Sequence, residues 1–204
     1  MVEIIEGNLA FPEHAAALVQ LLEEYARDPM GGGNGLSQHA REHLAIELRK
    51  RDTAHVILAL VDQEPAGLIV CLEGFSTFAC RPLLNIHDVV VSTGHRGRGL
   101  CKQMLERAEA LALKLGCCKL TLEVLEGNTV ARAIYGSCGF VGYELDPRMG
   151  RAMFWEKKLP SSEPDGHGDA IDTPGHEMYF PGNPAPRPTL AVAARRQALP
   201  NSAG

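Results

Sequence analysis

The residues best suited to chemistry form one run, Val89-Val90-Val91-Ser92-Thr93-Gly94-His95-Arg96-Gly97-Arg98-Gly99-Leu100-Cys101. It reads as a strand, a glycine-rich turn and a helix start. Such a junction is a cradle for an anion. Glycines let the backbone approach a ligand with no Cβ in the way, and the first amides of a helix point outward, unpaired, at the positive end of its dipole. Arg96 and Arg98 add positive charge. The glycines alone fit a ligand-free tight turn equally well, so familiar phosphate motifs are the next test. A P-loop places Lys after its last glycine, whereas Leu100-Cys101 follows Gly99 here. A dinucleotide fingerprint beginning at Gly97 would need glycine where Lys102 stands, and what precedes it is no βαβ opening.

The elements that must position this turn can be read from periodicity. Val2 to Ile5 is a short strand, and from Pro12 an apolar stripe of Ala15, Leu18, Val19, Leu22, Tyr25 and Ala26 predicts a helix stopping before Pro29. Gly31 to Gly35 reads as a flexible loop, and Ser37 caps a second helix through about Arg51. Three strands follow at His55 to Val61, Ala66 to Phe75 and Leu83 to Val91, the first two joined as a hairpin. A helix from Gly99 buries Leu100, Met104, Ala108, Leu111 and Leu115 and ends at Gly116. A strand at Lys119 to Leu125, a helix at Thr129 to Ser137 and strands at Phe140 to Leu145 and Arg151 to Lys158 complete the order. The fold class is α/β: a single domain with a mixed central sheet flanked by helices.

The turn resembles motif A of the GNAT N-acetyltransferase superfamily, [QR]-x-x-G-x-[GA], as Arg96-Gly97-Arg98-Gly99-Leu100-Cys101, with Cys101 in place of Gly or Ala. Downstream, the run from Asn128 through Ala131 and Tyr135 to Gly139-Phe140 is similar to the family's second signature, N-x-x-A-x-x-x-Y-x-x-x-G-F. The element order matches through Leu159. The resemblance implies acetyl-CoA as co-substrate, held where the strands ending near Val91 and Leu125 splay apart. Its pantetheine would pair with the backbone of Val89, Val90 and Val91, and its pyrophosphate would sit on the amides of Arg96, Gly97, Arg98, Gly99, Leu100 and Cys101. It further implies direct transfer: an amine attacks the thioester, a backbone amide near Val89 or Val90 stabilises the oxyanion, and Tyr135 protonates the departing thiolate. Asn128 would hydrogen-bond the cofactor or cap its helix.

The attacking amine must first lose a proton, and family bases lie on the strand before motif A, here carrying Asn85, His87 and Asp88. Imidazole titrates near neutral pH, which selects His87. Asp88 and Glu123 are the other candidates. Alternation puts Asn85 and His87 on one face and Asp88 on the other, unless a bulge intervenes. A competing pattern, His39-Ala40-Arg41-Glu42-His43, reads as the H-x-x-E-H of zinc peptidases but lacks an evident third ligand, so no metal is expected.

Composition bounds the remainder. With 20 Lys and Arg against 25 Asp and Glu, a net charge of -5 and 5% aromatic residues, the chain lacks the basic field and stacking platforms of a nucleic-acid binder. Apolar runs are too short for a membrane span and no signal peptide is evident, which predicts a cytoplasmic protein with no membrane partner. Six cysteines without a C-x-x-C pair read as reduced thiols. Most of the 13 prolines fall after Leu159. The chain therefore divides into a GNAT-like domain at 1–159 and a Pro/Gly-rich tail at 160–204, disordered or loosely docked, with a short helix at Thr189 to Leu199. The resemblance implies a small-molecule or peptide amine as acceptor, and an edge strand would permit a homodimer. A non-catalytic acyl-CoA-binding sensor or assembly module on the same fold is the alternative.

Overall fold

The computed structural model describes residues 1–144, 146–150, 152–157 and 159. Its elements run β1 (Val2–Gly7), α1 (Pro12–Arg27), α2 (Gln38–Arg49), β2 (Ala54–Val61), β3 (Glu64–Ser76), β4 (Arg81–Val91), α3 (Leu100–Lys114), β5 (Leu120–Leu122) and α4 (Thr129–Ser137). Short 3-10 turns stand at Pro29–Gly31, Thr93–His95 and Pro147–Met149. The sheet keeps sequence order from β1 to β5; β1 through β4 pair antiparallel, and β4 and β5 pair parallel. Among the described residues no helix is long and apolar enough to cross a membrane.

Both faces of the sheet are covered, which is why β2 and β3 read as continuous apolar runs. On one face Ile57, Ala59, Ile69, Cys71, Leu84 and Ile86 pack with Leu100, Met104, Leu105, Ala108 and Leu111 of α3. On the other, Val56, Leu58, Leu68, Val70 and Val90 pack with Ala17, Leu18, Leu21 and Leu22 of α1, and with the half-buried Leu44, Ala45 and Leu48 of α2. Local signals explain the boundaries. Ser37 Oγ accepts the Ala40 amide at 3.1 Å, capping α2. Asp62 and Gln63 turn the β2–β3 hairpin at φ of 52° and 68°, the two-residue turn that matches strand twist.

Two expectations fail. The strands expected at Phe140 to Leu145 and Arg151 to Lys158 do not form among the described residues there; Leu145, Arg151 and Lys158 themselves lie outside them. One backbone bond, from Ala152 N to Tyr143 O at 3.3 Å, joins the two segments. The side chains of Val141, Tyr143, Phe154 and Trp155 are exposed. β5 is three residues long instead of the expected seven, so it presents little ladder for a further strand to pair with. The 160–204 tail, with its expected helix, lies outside the described residues.

Candidate active site

The site begins where two strands part. β4 and β5 pair only from Leu84 with Leu120 to Ile86 with Leu122, after which β4 runs on to Val91 with β3 alone as partner. The stretch His87 to Val91 therefore presents a backbone edge on its β5 side. At the same point the β3–β4 register shifts: Val70 opposes Asp88 while Cys71 opposes Ile86, which makes His87 the extra residue of a β-bulge. The bulge changes which side chains share a face. Asn85 opposes Leu72 and Asp88 opposes Val70, so both stand on the α1/α2 face, and simple alternation through His87 does not hold. His87 is exposed and Asp88 half-buried. Burial pushes the Asp88 carboxyl above the ordinary carboxylate range, with His87 pulling weakly the other way.

Beyond Val91 the chain makes the glycine turn. Gly97 and Gly99 hold φ of 77° and 75°, a left-handed backbone that other residues adopt only with strain, and added Cβ atoms there would meet essentially open space. Gly99 is the N-cap of α3 and supplies no side-chain cap, so the first amides of the helix face outward with no partner of their own. Leu100 is 1% exposed, so it contributes its amide to the turn and its side chain to the core. Arg98 Nη1 donates to His95 Nδ1 at 2.9 Å, and Arg96 Nε donates to Val91 O at 3.2 Å.

The turn is fastened to the end of α1. Glu24 Oε1 accepts both the amide and the hydroxyl of Thr93, at 2.7 and 2.9 Å. Desolvation pushes the Glu24 carboxyl up, yet these bonds outweigh it and hold the group below its ordinary value. Asp28 Oδ2 accepts from Arg96 Nη2 at 3.0 Å while its Oδ1 accepts the Met30 amide at 2.9 Å. One carboxylate thus joins the glycine turn to the start of the Gly31–Gly35 loop. That loop is also tied by Gly35 N to Ala26 O at 3.2 Å and Tyr25 Oη to Met30 O at 3.3 Å. From the sequence, Glu23, Glu24 and Asp28 could equally be a solvated helix face or part of an acceptor wall. The i, i+4 spacing of Glu24 and Asp28 was visible, but partners some 68 residues away are not a local signal.

Tyr135 lies on the α3 face, half-buried, its ring 6.0 Å from that of Phe140. Burial pushes its phenol well above the usual range, and the neighbouring Cys101 and Tyr25 add to the push. Tyr25 belongs to the opposite face, so the two phenols flank the gap left by the parting strands. Cys101 is also half-buried and is pushed to about 11 by burial and then by Cys138. Asn128 caps α4, its Oδ1 accepting the Ala131 amide at 3.1 Å. On the α1/α2 face Asn85 Nδ2 donates to Thr121 Oγ1 at 3.1 Å and reaches both oxygens of Glu123, at 3.3 and 3.4 Å.

Other chemistry-bearing residues stand apart. The His39 and His43 rings stack 4.4 Å apart on α2, and among the described residues no group of three or more His, Cys, Asp or Glu is arranged to hold a metal ion. A groove of about 460 Å³ between α3, β5 and the end of α4 is lined by Leu105, Leu113, Leu120 and Phe140 among others, and neither the glycine turn nor Tyr135 borders it.

The chain that builds this site resembles known proteins in sequence and in fold. The family model of the acetyltransferase (GNAT) family matches residues 18–140. The chain is 33% identical over 129 residues to the streptothricin acetyltransferase of Escherichia coli, covering 59% of this chain and 71% of that one. It is 25% identical over 130 residues to the thialysine N-epsilon-acetyltransferase of Caenorhabditis elegans, covering 64% and 79% respectively. The solved structure of an aminoglycoside acetyltransferase from an uncultured soil metagenomic sample superposes with a TM-score of 0.65 at 17% identity, over 78% of this chain and 97% of the other, a likeness of fold. The match spans the bulged strand, the glycine turn and the Tyr135 helix alike, and the chain belongs to the GNAT acetyltransferase family.

Proposed function

We propose that the chain transfers the acetyl group of acetyl-CoA directly to an amino group of a small-molecule acceptor. The carrying observation is the β4 edge from His87 to Val91, which leaves β5 after Ile86 and runs into an uncapped helix start. The backbone of Val89, Val90 and Val91 is suited to pair with the amide-bearing arm of the cofactor. The amides of Arg96 to Cys101, with the Arg96 and Arg98 charges, are suited to its pyrophosphate. The streptothricin and thialysine acetyltransferases among its relatives are named for small-molecule acceptors, which supports a small-molecule amine here.

In the reaction the acceptor nitrogen bonds to the thioester carbon as the C–S bond breaks. The amine's proton passes to a base at the bulge, and the departing sulfur takes a proton or a hydrogen bond from Tyr135. A backbone amide of Val89 or Val90 stabilises the oxyanion. Burial keeps the Tyr135 phenol protonated, so its first contribution is a hydrogen bond to the developing thiolate. His87 is the base chosen on chemical type. A specific observation favours Asp88 as a second assignment: it faces α1 beside Tyr25, and its raised affinity for a proton makes its carboxylate a better base than an ordinary aspartate.

Tyr135→Phe tests the reading. It is expected to lower kcat about a hundredfold while leaving acetyl-CoA binding within about twofold of the parent. Unchanged turnover would remove Tyr135 from the mechanism, and binding without turnover of any amine by the parent would favour an acyl-CoA-binding module.

A further inference from the structure

We infer that Glu123 is a specificity-determining residue on the acceptor side, a carboxylate that holds a second cationic group of the acceptor while its first amino group is acetylated. The inference rests on the acetyl-transfer reading above. Glu123 is the first residue past the last β4–β5 pair, Ile86 with Leu122, so it stands where the two strands begin to part. Its direction is fixed by contact. Asn85 pairs with Thr121 across the two strands, and the Asn85 amide nitrogen reaches both Glu123 oxygens and the Thr121 hydroxyl. The register of Asn85 with Leu72 and of Asp88 with Val70 puts this group on the α1/α2 face, the side on which the bulge presents Asp88.

The carboxylates at the end of α1 are already committed. Glu24 is taken by Thr93, Asp28 by Arg96 and Met30, and Glu23 by Arg27, Arg41 and the Leu36 amide. Asp88 is desolvated toward its neutral form. Glu123 is exposed, forms no ion pair with a cation among the described residues, and is oriented by a neutral amide that leaves its charge uncompensated. Asn85 opposes Leu72 and Asp88 opposes Val70, two residues apart on β3, so at about 3.3 Å per residue the two stand about 7 Å apart along the sheet. An acceptor whose two amino groups are separated by a distance of that order would place one at the bulge and the other at Glu123.

Hexamethylenediamine and hexylamine, equal in chain length and differing in the second ammonium, are the probes. Steady-state acetylation of each is measured with the full chain and with Glu123→Gln, which keeps the shape and removes the charge, alongside acetyl-CoA binding. The variant is expected to raise KM for the diamine about five- to tenfold, the scale of one charge-assisted contact. Its KM for hexylamine and its acetyl-CoA affinity are expected to stay within about twofold, and a loss of kcat for both amines would assign Glu123 to the base and overturn the inference. An equal change for both amines, or none for the diamine, overturns the inference and leaves the acetyl-transfer reading intact. A parent chain that acetylates neither amine overturns that reading and the inference with it.

Discussion

Asp88 shows how far one inserted residue changes the chemistry of a strand. Because His87 is bulged, Asp88 faces α1, and burial raises its affinity for a proton. Folding then favours the protonated form, so stability is greatest below the unfolded carboxylate value of 3.8, falls as pH rises toward the raised folded value, and is level above it. Asp88→Asn is expected to remove that decline, giving a higher melting temperature than the parent at neutral pH. If Asp88 is the base, the same variant loses about a hundredfold in kcat while His87→Gln loses little; the reverse pattern assigns the base to His87. A thermal-melt series against pH with a paired rate profile checks both. The composition of the glycine turn, Tyr135 and the Asn128 cap were legible as residues in the sequence. The face of Asp88 was not, because a bulge depends on the register between two strands and β4 alone does not encode it.

Among the elements, α1 emerges as the clamp of the glycine turn as well as a wall of the core. Its Glu24 holds the Thr93 amide and hydroxyl just ahead of Arg96. Glu24→Ala is expected to weaken acetyl-CoA binding about fivefold, the scale of one net hydrogen bond of about 1 kcal/mol. Glu24→Gln keeps an acceptor oxygen for Thr93 and is expected to cost less than about twofold; calorimetric titration of both variants decides it. An equal loss for the two would show that the charge matters and the fastening does not. Helix ends were readable wherever a single residue sets them, as Ser37 does for α2 and the pair Asn128 and Gly139 for α4. The last two strands were misread because their alternation is real but pairing needs a neighbour, and β5 is only three residues long. The buried face of α1 was read with Leu18 and Leu22 in place, while Ala17 and Leu21 lie deeper than the chosen stripe implied.

Across the whole molecule, the sheet is covered on both faces and opens at one seam. α3 with α4 on one side and α1 with α2 on the other fix the two walls, and the parting of β4 from β5 brings Tyr135 from one wall toward Tyr25 and Asp88 from the other. The order of elements through α4 could be read from periodicity, since each stripe is local; the seam itself could not, since it exists only where two strands stop pairing. The central claim is that this seam and its glycine turn hold acetyl-CoA. Calorimetric titration of the full chain with acetyl-CoA tests it most directly, beside Gly99→Glu, which puts an anion into the turn at a left-handed backbone position, and Arg98→Glu, which does so without backbone strain. Saturable one-to-one binding by the parent is expected, with at least about a tenfold loss in both variants while they remain folded. A folded parent that does not bind, or variants that bind as well as the parent, would contradict it.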